Sequence, residues 1–280
     1  AYRLTGEIRT TVSGLSEGIL WNFAEGNIAK MLLDYYGISP DLFPEVVPTF
    51  AAQGGLSAQA AEELGLQAGV KVAYRAGDQP NNAFSLNVLH PGELAATAGT
   101  SGVVYGVGDQ PNYDRQSRVN SFVHVNHTAS AARYGILLCL NGTGSLNRWL
   151  RNTISGWSAE PAPYKLLDQL AAQAPIGSDG LVFLPYGNGA ERTLENRDLG
   201  AQIHGLNFNT CGLPHLLRAA QEGIVFALNY GLDIMREMGV TITTVRAGHA
   251  NMFLSPLFCE AFANITGARI ELYNTDGAQG

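Results

Sequence analysis

The chain contains 280 residues, of which 46% are hydrophobic and 15% are charged. This balance is typical of a folded protein with one large or two ordinary domains and not of a disordered one. The formal net charge is −7 and there is no run of basic residues, which disfavours a binding surface for nucleic acid or anionic membranes. The three cysteines do not have the spacing of a metal site, so free thiols are expected. No signal peptide or long apolar run is visible, and we therefore predict a soluble, cytoplasmic protein.

The first seventy residues predict short elements separated by turns. A helix is predicted over residues 27–36, ending at Gly37, and its apolar face consists of Ile28, Met31, Leu32 and Tyr35. Ser57 is the predicted N-cap of a second helix, which runs to Leu64. The remaining predictions here are a helix end over residues 2–7, a polar loop over 10–18 and an extended segment over 43–48.

From Val70 onward the pattern changes to strands that alternate with helices, and we place a domain boundary at 77/78. The β-branched and aromatic residues 70–74 predict a strand that ends at Gly77, which puts Asp78 at its carboxyl end. Residues 94–98 and 103–107 predict a hairpin with Gly99, Thr100, Ser101 and Gly102 at its tip. The predicted domains are therefore residues 1–77 and 78–280.

The remaining elements follow in order. Strands are predicted over 134–140, 180–186, 242–246 and 269–273, helices from Ser145 onward and over 164–173, 213–238 and 255–266, and a loop over 155–163. The helix over 213–238 has the apolar spacing of a buried face. The last strand, helix and strand predict a βαβ unit with parallel pairing and a right-handed crossover.

Asp78 and the turn at residues 99–102 are candidate catalytic features because they lie close together in the sequence. A carboxylate can accept the proton of a substrate hydroxyl, and the N–H and O–H groups of a small turn can hold phosphate oxygens. The combination suits phosphoryl transfer. Each feature also has an ordinary structural explanation, since a strand-end aspartate commonly caps a helix or bonds a turn, and such turns are common in hairpins.

A second glycine-rich turn, residues 141–145, precedes a predicted helix that carries Leu146, Trp149 and Leu150. Ser145 is its predicted N-cap, and a turn of this kind suits an anion or a nucleotide, although a tight strand-to-helix turn explains the same residues.

His124 and His127 would face opposite sides of a strand, so we predict no metal site there.

Several segments, in the same order along nearly the whole chain, resemble the FGGY carbohydrate kinases and among them most closely the xylulose kinases. The first two are residues 77–83 (GDQPNNA) and 97–102 (TAGTSG). The others are 184–192 (LPYGNGAER), 201–206 (AQIHGL), 215–222 (HLLRAAQE) and 246–251 (RAGHAN). Gln221 departs from the family pattern, which usually has an apolar residue at this position.

The resemblance implies an α/β protein with the ribonuclease-H-like fold of the actin/hexokinase-type ATPases, a mixed sheet and flanking helices. It implies that ATP and Mg²⁺ are cofactors, that Asp78 is the catalytic base, and that Asp78, Gln79 and Asn81 bind the substrate. The ATP contacts that it implies are Gly99, Thr100, Ser101, Gly144, Arg148, Gly248 and Asn251. It assigns no residue as a metal ligand.

By the same resemblance, residues 1–77 are the tail of an N-terminal sugar-binding domain, and 78–280 are a C-terminal nucleotide-binding domain truncated at its end. The family's first phosphate loop and most of its sugar contacts are therefore expected outside this chain. The implied activity is ATP-dependent phosphorylation of a ketopentose, D-xylulose to D-xylulose 5-phosphate, with a homodimer compatible with the family.

Two alternatives remain open. One is a kinase of the same family for another sugar or polyol, such as ribulose, gluconate or glycerol. The other is a non-catalytic nucleotide- or sugar-binding protein of the same fold. A dinucleotide oxidoreductase is disfavoured, because no GxGxxG motif leads from a strand into a helix with a later acidic residue.

Overall fold

The computed structural model describes residues 1–156 and 160–275, and its amino-terminal part consists of short elements. The helices are α1 (Tyr2–Thr5), α2 (Val12–Glu17), α3 (Lys30–Tyr36) and α4 (Ala58–Leu64). The strands are β1 (Arg9–Thr10), β2 (Trp21–Asn22), β3 (Asn27–Ile28) and β4 (Glu45–Val46). Strand β1 pairs in parallel with β4, and β2 pairs antiparallel with β3. As predicted, α4 begins after Ser57, whose hydroxyl accepts the N–H of Ala60 at 3.2 Å.

Helix α2 corrects the prediction of a polar loop over residues 10–18. The hydroxyl of Thr11 accepts the N–H of Gly14 at 3.2 Å and thereby caps the helix. The hydroxyl of Ser16 accepts the backbone N–H of Val123 at 2.9 Å, so this serine is buried with a partner. Hydroxyl groups that suggested a solvated loop instead attach the helix to a distant strand.

Helix α3 ends at Gly37 as predicted, with φ of 64° at that glycine. Its start is at Lys30 because residues 27 and 28 pair with β2. The predicted apolar face is wrong: Met31 and Tyr35 are 77% and 80% exposed, whereas Leu33 is 1% exposed.

Residues 70–74 do not form the predicted strand. They are extended and exchange backbone hydrogen bonds with residues 53–56, but only Lys71 and Gly55 form a β-bridge. Gly54, with φ of 140°, interrupts the pairing on the opposite side. Asp78 consequently lies at the start of a helix and not at the end of a strand.

The larger part of the fold is a six-stranded mixed sheet with helices. The helices are α5 (Asp78–Ser85), α6 (Gly144–Ile154), α7 (Tyr164–Ala171), α8 (Leu213–Glu237) and α9 (Pro256–Thr266). The strands are β5 (Glu93–Ala98), β6 (Gly102–Gly108), β7 (Asn120–Val123), β8 (Tyr134–Leu140), β9 (Val182–Leu184), β10 (Gln202–His204), β11 (Thr244–Gly248) and β12 (Arg269–Tyr273). The sheet order is β12-β11-β5-β6-β8-β7, and β9 pairs separately with β10.

Alternating residues of the central strands contact different cores on the two faces of the sheet. Leu94 and Val104 belong to the main core, which includes side chains of α6, α7, α8 and α9. Ala95 and Tyr105 belong to a smaller core, which includes the end of α5. The period of two along each strand therefore places α5 on one face and the long helix α8 on the other.

The strand hairpin β5–β6, the helix α8 and the parallel pairing of β11 with β12 confirm the sequence predictions. Helix α6 begins at Gly144 after Thr143, so Ser145 is not its N-cap; the Ser145 hydroxyl donates to the carbonyl oxygen of Asn141 at 2.7 Å. Residues 157–159 of the predicted loop 155–163 and residues 276–280 of the second predicted domain lie outside the described residues. Among the described helices, none has the length and apolarity needed to span a membrane.

Candidate active site

Helix α5 presents its first turn to a carboxylate from a distant helix. Glu17, the last residue of α2, accepts the N–H of Asp78 at 2.8 Å and the N–H of Gln79 at 2.9 Å, one with each carboxylate oxygen. The N–H of Gly77 donates to the hydroxyl of Ser13 at 3.1 Å. A Cβ atom at residue 77 would overlap the Glu17 carboxylate, which explains the glycine before Asp78. Asp78 itself is exposed.

The two carboxyl groups of this cluster interact. The pKa of Glu17 is raised to about 7: burial is the main cause, the hydrogen bond to the Asp78 side chain and the charge of that side chain also raise it, and the two backbone N–H donors lower it. At neutral pH, Glu17 is therefore close to its titration midpoint beside the exposed carboxyl group of Asp78.

Asn81 lies one turn further along α5 and is held by an aromatic cluster. The phenol of Tyr74 donates to its Oδ1 at 2.7 Å, and the ring of Tyr74 packs against Phe50 and Phe84. Burial raises the pKa of Tyr74 to about 12, so it stays a donor. Because this contact occupies the Asn81 carbonyl oxygen, the amide N–H groups are the part of Asn81 that suits a ligand.

The two glycine-rich turns predicted from the sequence are in direct contact. Gly144 donates its N–H to the carbonyl oxygen of Gly99 at 2.8 Å, and Ser145 donates its N–H to that of Thr100 at 3.1 Å. The Ser101 hydroxyl donates to Oδ1 of Asn141 at 3.4 Å. The start of α6 is therefore fixed directly against the tip of the β5–β6 hairpin.

Beside these turns lies a cavity of about 350 Å³. It brings together five of the predicted ATP contacts, namely Gly99, Thr100, Gly144, Arg148 and Asn251. The lining also includes Tyr164 and Asp168 of α7 and Met252, Leu254 and Ser255 after β11. Backbone, hydroxyl, amide and guanidinium groups next to apolar and aromatic surface suit a ligand with an anionic part and a planar part.

The other predicted residues do not line this cavity. Ser101 is turned to Asn141, and Gly248 is the buried last residue of β11. Asp78, Gln79 and Asn81 form a second group at the start of α5. The structure thus separates the candidate base and sugar contacts from the candidate ATP contacts.

A further cavity, of about 390 Å³, shares the turn at residues 141–145. It is lined mainly by apolar side chains, including Trp149, Phe183, Pro185 and Ile203, and it contains none of the predicted site residues. Its lining offers little to an anionic ligand, so we place the candidate site at the smaller cavity.

Sequence inspection missed two parts of the site. The contact of Glu17 with α5 could not be predicted, because Glu17 lies 61 residues before Asp78 in a segment that was expected to be a loop. Gln221 is 2% exposed and bridges the cavity wall: its Nε2 donates to Asp168 at 2.8 Å, and its Oε1 accepts the Ser255 hydroxyl at 3.0 Å. A glutamine at an otherwise apolar helix position was the one available signal.

The chain is similar to known proteins over most of its length. The C-terminal domain of the FGGY family of carbohydrate kinases matches residues 94–279, and the N-terminal domain of that family matches residues 1–85. A xylulose kinase of Staphylococcus epidermidis is 31% identical over 268 residues, which cover 93% of this chain and 51% of the relative. A gluconokinase of Bacillus subtilis is 29% identical over 198 residues, covering 69% and 37% of the two chains.

Among solved structures, the xylulose kinase of Rhodospirillum rubrum superposes with a TM-score of 0.84 at 26% identity. The match covers 97% of this chain and 53% of that one. The chain thus spans about half the length of the relatives that it matches. Their fold is the one expected from the sequence, an α/β mixed sheet with flanking helices of the actin/hexokinase type.

Proposed function

Because the chain belongs to the FGGY family of carbohydrate kinases, we propose that the protein transfers the γ-phosphoryl group of ATP to a hydroxyl of a small sugar. The proposed acceptor is a ketopentose, most specifically D-xylulose, which would become D-xylulose 5-phosphate. The observation that carries the proposal is the pair of sites just described, an exposed carboxylate at the start of α5 and a cavity between two glycine-rich turns.

Asp78 is the proposed general base. As the sugar oxygen attacks the γ-phosphorus in line, the Asp78 carboxylate accepts the proton of that hydroxyl. Its exposure leaves it open to a sugar, and the backbone contacts to Glu17 fix where its side chain begins. Gln79 and Asn81 are the proposed sugar contacts on the same helix turn.

ATP is proposed to occupy the cavity at the two turns. Gly99, Thr100 and Gly144 would contact the phosphates through backbone and hydroxyl groups, Arg148 would add a positive charge, and Asn251 would lie beside the adenine. Ser101 and Gly248, the other two ATP contacts predicted from the sequence, lie outside the lining of the cavity. The close contact between Gly144 and Gly99 supports this assignment, because a side chain at residue 144 would obstruct the turn.

Mg²⁺ fits this donor set only through the nucleotide. Within residues 1–156 and 160–275, no group of three or more acidic, histidine or cysteine side chains could hold a metal ion. Magnesium in ATP-dependent kinases is bound largely by phosphate oxygens and water, and when bound it supplies neutralisation of phosphate charge. We assign it no protein ligand.

The domain boundary stays at 77/78 as a proposal. Helix α5 packs through Ala83 onto Ala95 and Tyr105 of the sheet, which favours the nucleotide-side domain, whereas the match to the N-terminal family domain extends over α5 to residue 85. Residues 1–77 would then be the sugar-side part.

The gluconokinase relative at 29% identity supports a second candidate, phosphorylation of gluconate or a related polyol.

The test is ADP release by the full-length protein with Mg-ATP and a panel of sugars that includes D-xylulose, ribulose, gluconate and glycerol. Sugar-dependent ADP that is lost in Asp78→Ala supports a kinase with this base, and the preferred sugar identifies the substrate. ATP binding without sugar-dependent ADP would contradict the kinase proposal and favour a non-catalytic sensor.

A further inference from the structure

We propose that Glu17 is a positioning residue for Asp78: it holds the first turn of α5 from a separate helix and thereby fixes the backbone from which the Asp78 side chain extends toward the substrate. The inference rests on the proposed kinase function and adds a residue to it.

The first argument is the geometry at the start of α5. The opening N–H groups of a helix have no partner within the helix. Glu17 accepts two of them, from Asp78 and Gln79, with separate oxygens at 2.8 and 2.9 Å. Two such bonds define the orientation of the peptide units on both sides of the Asp78 Cα atom and thus the direction in which the Asp78 side chain begins.

The second argument is that Glu17 is itself held rigidly. Its helix α2 is fixed to the sheet by Ser16, whose hydroxyl accepts the N–H of Val123 at 2.9 Å. Ser13 of the same helix accepts the N–H of Gly77. Two residues of α2 therefore contact three consecutive N–H groups, those of residues 77, 78 and 79, and Glu17 connects the two sides of the proposed domain boundary.

The third argument is electrostatic. Beside Asp78, the titratable group that faces Glu17 is Tyr105, a buried phenol whose pKa lies well above its usual value, chiefly through burial and in part through the charge of Glu17. Tyr105 in turn contacts Nδ1 of His124 at 3.1 Å. The pKa of Glu17 is about 7, with burial as the main cause, so near neutral pH a substantial fraction of Glu17 is the carboxylate, which is the stronger acceptor for the two N–H groups.

This arrangement has a kinetic consequence. A base whose side chain does not begin in a fixed direction meets the sugar hydroxyl less often, while the contacts that bind sugar and ATP are unchanged. Loss of the two Glu17 hydrogen bonds should therefore lower kcat more than it raises the KM values.

The experiment compares Glu17→Gln and Glu17→Asp with Glu25→Gln in the full-length protein. Glu25 is an exposed residue of the same chemistry on the loop between β2 and β3. We expect kcat to fall about 10- to 100-fold in Glu17→Gln, because a misplaced base loses this much, with partial recovery in Glu17→Asp. The KM for sugar and for ATP should change less than about threefold, so that the loss lies in kcat.

An unchanged kcat, or a loss of kcat that merely parallels a loss of folded protein, would overturn the inference and leave Glu17 as a helix cap. A second readout is independent of turnover. Amide hydrogen exchange of residues 77–80 should be faster in Glu17→Gln than in Glu25→Gln. If no sugar supports ADP release, the kinase proposal fails, and unchanged exchange would separately show that Glu17 does not hold this segment.

Discussion

The backbone N–H of Gly144 donates to the carbonyl oxygen of Gly99 at 2.8 Å, in the shortest of the hydrogen bonds that join the two turns bordering the candidate nucleotide site. A Cβ atom on Gly144 would overlap that same carbonyl oxygen. The contact therefore depends on the absence of a side chain at residue 144.

Gly144→Ala should push the two turns apart and weaken ATP binding by about tenfold or more, with a loss of about 1–3 kcal/mol in the free energy of unfolding. Calorimetric titration with Mg-ATP measures the first effect and urea unfolding the second. Gly108→Ala is the matched control, because its Cβ would be 3.5 Å from Val240, an ordinary contact. Equal ATP affinity in both variants would contradict the proposed nucleotide site.

Glu17 should make the stability of the protein depend on pH. Its pKa is about 7 in the fold against 4.5 for an ordinary glutamate, so between these pH values the folded state holds a proton that the unfolded state has released. The free energy of unfolding therefore falls as the pH rises through this window. Because Glu17 is only partly buried, the effect should amount to about 1–2 kcal/mol.

Urea unfolding at pH 5, 6, 7 and 8 checks this, with wild type and Glu17→Gln measured together so that other titrating groups cancel. The stability of wild type relative to the variant should decrease from pH 5 to pH 8. A difference that stays constant or grows over this range would show that Glu17 is ionised throughout.

Gln221→Glu should lower the free energy of unfolding far more than Gln59→Glu does. Both glutamines donate to a carboxylate, Gln221 to Asp168 at 2.8 Å and Gln59 to Glu63 at 3.0 Å. Gln221 is buried, whereas the second pair is exposed on α4. A new carboxylate against Asp168 should cost about 2–4 kcal/mol of unfolding free energy at pH 8, and an exposed pair about 0.5 kcal/mol.

The loss of unfolding free energy caused by Gln221→Glu should be smaller at pH 5, since a protonated carboxyl can again donate a hydrogen bond to Asp168. Chemical unfolding at both pH values measures it. Similar losses at the two sites would mean that the wall of the nucleotide cavity is more open to water than the fold indicates.

Tyr105→Phe should destabilise the fold by about 1–3 kcal/mol, because it leaves a buried acceptor without its donor. The Nε2 of His124 is 2.9 Å from the carbonyl oxygen of Val88 and must carry the hydrogen, so Nδ1 accepts from the Tyr105 hydroxyl. Burial lowers the pKa of His124 to about 4, which keeps it neutral in this role.

Tyr134→Phe is the control for this prediction. Tyr134 is 8% exposed, and its hydroxyl makes no hydrogen bond within the described part of the chain. Its loss should cost less than about 1 kcal/mol. Thermal unfolding of the two variants beside wild type decides the matter, and equal melting temperatures would argue against the Tyr105–His124 bond.

Local sequence patterns determined the elements whose residues interact with near neighbours. The hairpin around Gly99–Gly102, the helix that starts after Ser57 and the long helix α8 follow from turn chemistry, capping and apolar spacing, all of which act over a few residues. The motif order along the chain also indicated the family, which the domain matches confirmed.

Tertiary structure decided the features that depend on distant partners. Residues 70–74 have the composition of a strand, but they are extended without a full partner strand. The segment of α2 forms a helix whose serine hydroxyls accept hydrogen bonds from backbone N–H groups of a distant turn and a distant strand. Glu17 meets Asp78 across 61 residues. The hydrogen-bond partners and the pKa of a carboxylate depend on the groups around it, and for Glu17 these groups come together only when α2, α5 and the sheet pack against one another.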